Sequence, residues 1–519
     1  STVTTIKADD CSANNTGDWS LADCTLGFDT DHYEVVYTAS SQSVYQSSVS
    51  TTNGNTYTIS ADVKDGASAG VSGRIFLATT VTISGGVGEI FTTTNTWQTI
   101  TKEIVAGVDY DTLGVYSTMV GAGDFEIKNI ILSEGTASTG TKTYLRPPTI
   151  GVEWNQATDT WRHIDINGKT LALTTADFDS YPIWGNMKRC NMDDSGNVTA
   201  YKGTPGFAYD GSNGKVMVEI PTCYVKSANP SANVYRWWVT SYPREDFVLH
   251  YAFRQGGDGA PHESQFLYVG AYEAGYADNK LQSRTGVQPK TEITINQART
   301  YAQNIGAGWQ ITNFWELALI RLLYYIEYAD ADSQTTIGQG IVNKVSGSEF
   351  AGELTGADNI DTNVASNGTG SGTGTDGLTP IAYRGIENLW GNVWTFIDGY
   401  DAVNASYNLA KIDGTSTFVS PLVLYSSSIT APITTNGYQT NILYEANLEF
   451  AFLPSAVGGS SSTYLYDYFY AHDLNEVNVL LFSGSWNYGA IAGVGCLGSG
   501  DEASRSTRSL GCRLEFLKE

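Results

Sequence analysis

The amino-acid sequence predicts a mainly β fold with some α, an α+β protein of several domains that opens on a β-sandwich. Three observations carry this reading. Apolar and polar residues alternate through Tyr57–Val63, Gly73–Leu77, Thr96–Ile104 and Phe125–Ser133, with Gly, Asn and Asp clusters between these segments. Two stretches alone, TINQARTYAQNIGAG and NFWELALIRLLYYIEYA, are convincingly helical. Aromatics are 12% of the chain, Tyr supplies 32 residues and charged residues are only 16%, a mix too aromatic for disorder. It suits short strands joined by small-residue turns.

A chain of 519 residues exceeds what one hydrophobic core holds, so two to four domains are expected. Residues 1–135 read as the sandwich. Residues 136–150 read as a linker, rich in small residues and stiffened by Pro147 and Pro148. Residues 151–290 resume dense strand and turn signals, with Asn167-Gly168 placed as a hairpin turn and Lys215–Tyr224 as a strand. In residues 291–519 the helices come first. Thr294 and Gln297 have capping-box spacing, and so do Asn313 and Glu316 ahead of an apolar face of Leu319, Leu322, Leu323 and Ile326. Residues 345–380 read as a surface loop, and long polar loops are expected around 402–445 and 455–470.

Charge and motifs exclude several functions. A formal charge of −25 repels nucleic acid and anionic membrane surfaces. No run of about 18 apolar residues exists to span a bilayer, and Ser1–Asp10 lacks the basic-then-apolar order of a secretory signal. The cysteines at 11, 24, 190, 223, 496 and 512 form no close pair, so zinc and thioredoxin-type chemistry are not expected. Sequential pairing of 11 with 24, 190 with 223 and 496 with 512 stands beside the reading of inert buried thiols. The five histidines have no metal spacing, and G-x-S-x-G, H-E-x-x-H and P-loop motifs are absent. No cofactor is expected. Calcium stays open at the Asp/Asn-rich segment Asn191–Asn197, which is not a complete ligand loop.

Several motifs resemble known families. YTISADVKDG, TTTNTWQTITKEI and GDFEIKNIILSEG, in that order, look like a jelly-roll carbohydrate-binding module. An exposed Trp19 or Trp97 would favour sugar stacking there. The helix ITNFWELALI, the segment Gly391-Asn392-Val393-Trp394 and the closing Gly484-Ser485-Trp486 and Gly511-Cys512-Arg513 resemble the C-type lectin-like fold of the formylglycine-generating-enzyme type. The fold class implied is an N-terminal β-sandwich (jelly roll) followed by a C-terminal C-type lectin-like domain. The enzymes of that type carry two nearby cysteines, one of them the working thiolate. Here Cys496 and Cys512 are well separated, and Cys512 replaces a residue that is usually an aromatic of the core, so no enzyme is expected.

The segment GSWNYGAIAGVGCLGSGDEASRSTRSLGCR resembles the variable region of proteins diversified by a retroelement, such as phage major tropism determinants. The resemblance implies a fixed frame of Gly484, Ser485, Trp486, Gly489, Ala490, Ala492, Gly493, Gly511 and Arg513, with Trp394 beneath it. The ligand-binding positions it implies are Asn487, Tyr488, Ile491, Gly498, Ser499, Asp501, Glu502, Arg505, Thr507 and Arg508. An ordinary Gly/Ser-rich loop before the last strand is the plainer alternative. PIWGNMKRCNMDDSGNVTAY, KVMVEIPTCYVK and FVLHYAFRQGG resemble phage tail-fibre and receptor-binding proteins, with Tyr251 where that family usually has Pro. The expected function is therefore a viral receptor-binding or tail-fibre protein, exposed on the virion. Its partners would be a host-cell surface protein or glycan and other virion proteins, and it would be a homotrimer. A fixed-specificity carbohydrate-binding adhesin, on a cell surface, is the alternative.

Overall fold

The computed structural model describes the chain apart from residues 1–4, 10–19, 23–24, 30–31, 38–42, 47–50, 80–86, 119–122, 135–148, 245, 255–265, 345–367, 372–375, 404–405, 411–424, 432, 472–475 and 518–519. Residues 136–148 of the linker segment, Cys11, Trp19, Cys24 and most of the 345–380 loop lie outside the described residues, while Ile150 opens the strand Ile150–Asn155. The chain divides into two units, Ser1–Thr149 and Ile150–Glu519.

In the first unit, alternation fixes which side chains face inward. Along the strand Thr56–Asp65 the residues Tyr57, Ile59, Ala61 and Val63 are buried. It pairs with Gln98–Val105 on one side and Gly123–Glu134 on the other in an antiparallel sheet of six strands among the described residues. A second sheet of five strands is built around Ser72–Ala78 and Thr112–Ser117. Ile75, Leu77, Phe91, Leu113 and Val115 of the second sheet share one core with Ile59, Val63, Phe125 and Ile127 of the first. Phe91 meets Phe125 edge-on at 5.4 Å between ring centroids. The unit is the expected β-sandwich.

The second unit is β-rich with the helices inside it. Around the helix Phe314–Tyr328, every residue from Phe314 to Glu327 is buried, not only the apolar face that helical spacing marks. A helix apolar nearly all round belongs in a core, and aromatic side chains from several sheets surround it. The first helix, Ile295–Gln303, starts as its sequence predicts: Thr294 Oγ1 accepts the Gln297 amide at 3.2 Å, and Gln297 Oε1 accepts the Thr294 amide at 2.9 Å. Thr294→Ala should cost about 1 kcal/mol in chemical denaturation of this unit. An unchanged midpoint would show that packing alone holds this helix end.

The second cap is built differently. Asn313 Oδ1 accepts the amides of Trp315 and Glu316, but Glu316 does not reach back. Glu515, from the last strand, accepts the Asn313 amide at 2.7 Å in its place. That strand, Arg513–Leu517, lies between Phe266–Glu273 and Trp309–Ile311 in a six-stranded sheet, so the 151–290 and 291–519 segments share one sheet. Lys215–Tyr224 resolves into Lys215–Pro221, buried on both faces, and a second strand, Tyr224–Ser231. Asn167-Gly168 is a turn, with Gly168 at φ +81°.

The expected polar loops around 402–445 and 455–470 instead contribute strands. Ser406–Ala410, Tyr425–Thr430, Gly437–Ile442, Pro454–Val457 and Tyr468–Tyr470 join Trp394–Val403, Val477–Phe482, Leu497–Glu502 and Leu510–Gly511 in a nine-stranded sheet among the described residues. Backbone pairing drives these strands where apolar runs are short, and Tyr, Ser and Thr suit their half-exposed positions.

Candidate ligand-binding face

The C-terminal segment is a loop, a strand and a second loop on a rigid floor. After Phe482 the chain turns out of the sheet through Ser483 (φ +92°) and Gly484 (φ +79°). A Cβ on Gly484 would lie 2.7 Å from that of Ala492, so the loop folds back on itself only without a side chain there. On Gly493 a Cβ would meet the Asp467 carboxylate. Backbone hydrogen bonds pin the loop: Trp486 donates to Asn392 O at 3.0 Å, Gly489 to Val342 O at 2.9 Å, and Gly495 to Asp467 Oδ2 at 2.7 Å. Gln334 Nε2 donates to the carbonyls of Gly489 and Ala492. Trp486 packs with Ile341 and Val393.

Further below, Arg513 is buried and donates to the carbonyls of Gly270, Glu387 and Asn388. Asn392 donates to the buried carboxylate of Glu273, which also accepts the Val393 amide. Of the frame residues Gly484, Ser485, Trp486, Ala492, Gly493, Gly511 and Arg513 are buried, as is Trp394. Ala490 is exposed and Gly489 half-buried, so Ala490 belongs to the outer face, not to the frame.

The ten implied ligand positions separate into two groups. Asn487, Glu502, Arg505 and Arg508 are exposed, and Tyr488, Ile491, Asp501 and Thr507 are half-buried. Gly498 and Ser499 are a correction: both are buried. Their strand, Leu497–Glu502, is paired on both sides, with Val477–Phe482 and Tyr468–Tyr470. Ser499 Oγ lies 2.8 Å from the Tyr400 hydroxyl, and the Trp394 ring occupies the space beside Gly498. In the second loop Arg505 pairs with Asp501 at 3.3 Å and Arg508 with Glu292 at 3.7 Å. All four side chains are open enough that these pairs contribute little.

The residues that sequence reasoning missed are three tyrosines. Tyr438 meets Tyr468 at 5.1 Å, Tyr468 meets Tyr470 at 4.8 Å, and Tyr470 meets Tyr488 at 5.9 Å between ring centroids. Tyr488 and Tyr470 both stand edge-on to Trp394. All four tyrosines are half-buried, a contiguous aromatic band with edges open to solvent. Tyr470, Tyr488 and Ala503 pack on the same core, so the band joins the two loops. Burial pushes the Tyr438 and Tyr470 phenols up, so both remain hydrogen-bond donors at neutral pH. The sequence signal was present in STYLYDYFY, where Tyr464, Tyr466, Tyr468 and Tyr470 alternate with buried Leu465, Asp467 and Phe469.

Cys190, Cys223, Cys496 and Cys512 are unpaired buried thiols. Burial pushes Cys512 up to about 12 and holds Cys496 well above its usual range, the opposite of an activated nucleophile. His250 is buried and its ring pushed down to about 3, with Nδ1 accepting the Ala252 amide at 3.2 Å. In Asn191–Asn197, Asp193 accepts the amides of Ser195 and Asn197, and Asp194 pairs with Lys215 and Lys280. Among the described residues no three His, Cys, Asp or Glu side chains converge as metal ligands. In the first unit Trp97 is half-buried under Lys128, 4.1 Å from its ring centroid, with Lys64 at 5.6 Å. No helix among the described residues is long and apolar enough to cross a membrane.

No protein-family model and no curated protein matches the chain. Solved structures match it in part. The ligand-free CBM1 of BiXyn10A is 14% identical, covering 25% of this chain and 99% of its own, at a TM-score of 0.22. A carbohydrate-binding module of family 29 is 16% identical over 27% of this chain and 94% of its own, also at 0.22. The N-terminal cellulose-binding domain of the Cellulomonas fimi β-1,4-glucanase C is 14% identical over 26% of this chain and 98% of its own, again at 0.22.

Proposed function

We propose that the second unit is a non-enzymatic recognition module whose tyrosine band and flanking loops bind a host-cell surface ligand, in a viral receptor-binding or tail-fibre protein. The observation that carries this reading is the band Tyr438, Tyr468, Tyr470 and Tyr488, contiguous with exposed Asn487 and close to the Asp501–Arg508 loop. Half-buried tyrosines held by a packed floor offer large contact area at little cost in side-chain entropy, the usual composition of a binding surface. The frame beneath depends on backbone bonds and small residues, so side chains on the outer face can change without disturbing the fold. Modest single-site affinity would be multiplied in a homotrimer on a virion, to which the first unit would attach it.

Two measurements test this. Tyr470→Ala and Tyr488→Ala should each weaken binding to host cells at least about tenfold, while Lys169→Ala, on an exposed turn elsewhere in the unit, leaves it unchanged. Equal binding by all three variants would remove the face from the mechanism. Sequencing many natural copies of the gene should show substitutions at 487, 488, 491, 501, 502, 505, 507 and 508, with Trp486, Gly498, Ser499 and Gly511 constant. Uniform sequence across 487–509 would end the retroelement reading and leave a fixed-specificity carbohydrate-binding adhesin. A monodisperse monomer in light scattering at micromolar concentration would end the trimer.

A further inference from the structure

A second candidate site shares no lining residue with the tyrosine face and is independent of the function proposed for it. A cavity of about 390 Å³ carries the charged side chains of Asp179, Lys188, Arg189, Lys202 and Arg384 in its lining. Four of these residues are cationic and one is acidic, in a chain whose acidic residues outnumber Lys and Arg by 54 to 29. The two guanidiniums are fixed in place. Arg189 is buried, with Nε donating to Gly385 O at 2.7 Å and Nη1 to the Tyr272 hydroxyl at 2.9 Å. Arg384 is 1% exposed and held by Glu327 and by Asp179. Counting Glu327 behind it, the wall keeps two more positive than negative charges. Lys188 and Lys202 are exposed at the rim.

Apolar and backbone surfaces complete the cavity. Trp184 and Met187 supply apolar wall, and Gly185, Gly368 and Gly385 leave main chain without side chains. The Gly385 amide donates to Gly368 O at 3.0 Å, which ties two of these segments together. The size falls within the range of small-molecule sites, roughly 300–1,000 Å³. Preset cations in a partly desolvated wall attract an anion more strongly than mobile surface lysines do, because little reorganisation accompanies binding.

We infer that this cavity binds a small polar molecule carrying one anionic group, a carboxylate or a phosphate, on a body of monosaccharide size. Titration calorimetry of the full chain at low salt, with glucuronate, glucose 6-phosphate and glucose as probes, tests it. Saturable binding of either charged sugar, with none for glucose, is the expected result, and the tighter of the two identifies the anion. The double variant Lys188→Glu/Lys202→Glu should weaken that binding at least about tenfold, and Lys169→Glu should not. Circular dichroism confirms that these exposed substitutions leave the fold intact. Silence of both charged probes, equal heats from glucose, or unchanged affinity in the double variant would each overturn the assignment. None of these outcomes bears on binding at the tyrosine band, which the Tyr470 and Tyr488 variants report separately.

Discussion

Replacing Arg384 by Met should lower the stability of the second unit by about 4 kcal/mol, because it leaves a buried carboxylate without its cation. Glu327 and Arg384 are each about 1% exposed, and the guanidinium contacts both Glu327 oxygens while Nη1 reaches Asp179 at 2.5 Å. Burial pushes the Glu327 carboxyl up even with the arginine pulling it down. Without Arg384, burial and the Asp179 charge hold the carboxyl up against only the Tyr383 hydrogen bond, and the folded protein must take up a proton or admit water. The double variant Arg384→Met/Glu327→Met should recover most of the loss, since an apolar pair of similar volume removes the desolvation penalty too. Denaturant unfolding followed by tryptophan fluorescence reads both. A loss under about 1 kcal/mol in the single variant would mean that water already reaches Glu327.

Glu316→Gln should stabilise the second unit by about 2 kcal/mol at pH 8 and by much less at pH 4. Glu316 and Glu515 are both fully buried, and burial first, then their mutual repulsion, hold Glu316 well above the usual carboxylate range. Glu515 is also raised, although it accepts from Asn313 and Gln310. Among the described residues no donor reaches either Glu316 oxygen, and the raised carboxyl favours a proton held on Glu316 and shared with Glu515. Arg513 nearby pulls the Glu316 carboxyl down without cancelling the rise. A carboxyl raised in the folded state favours folding fully below its unfolded value and loses that contribution as pH climbs through its folded value. The glutamine amide supplies the same hydrogen bond at every pH. Glu273, pushed up to about 7, titrates on the same side and remains in the variant, so part of the alkaline loss should persist. Parallel pH profiles for variant and wild type would refute the shared proton.

These carboxylates also mark the limit of what was legible from sequence. Alternation in Tyr57–Val63 and Phe125–Ser133 located the sandwich strands, because each strand there has one buried face. The Thr294 capping box was readable because both partners lie within one turn. The second cap was only half readable: its carboxylate comes from Glu515, a residue no local rule connects to Asn313. Gly498 and Ser499 looked like loop residues, because small polar residues carry no sign that their strand is paired on both edges. Arg189 and Arg384 lie in distant segments, and only the folded chain brings them to one cavity. Tyr468 and Tyr470 were legible in principle and were missed inside a stretch read as polar loop.

The position of Arg513–Leu517 has a consequence for biosynthesis. The six-stranded sheet holds this segment between Phe266–Glu273 and Trp309–Ile311, so those two strands have no common neighbour until translation reaches the last of these residues. Until then the nascent chain presents two open strand edges and the apolar surface that Leu514 and Phe516 will cover. Pairings so remote along the chain form slowly, and exposed edges in the interval invite association between copies. The first unit has a core of its own, so it is free to fold while the ribosome is still working. The second has to wait until Arg513–Leu517 has been made, and its yield in a cell will depend on what shields it during that wait.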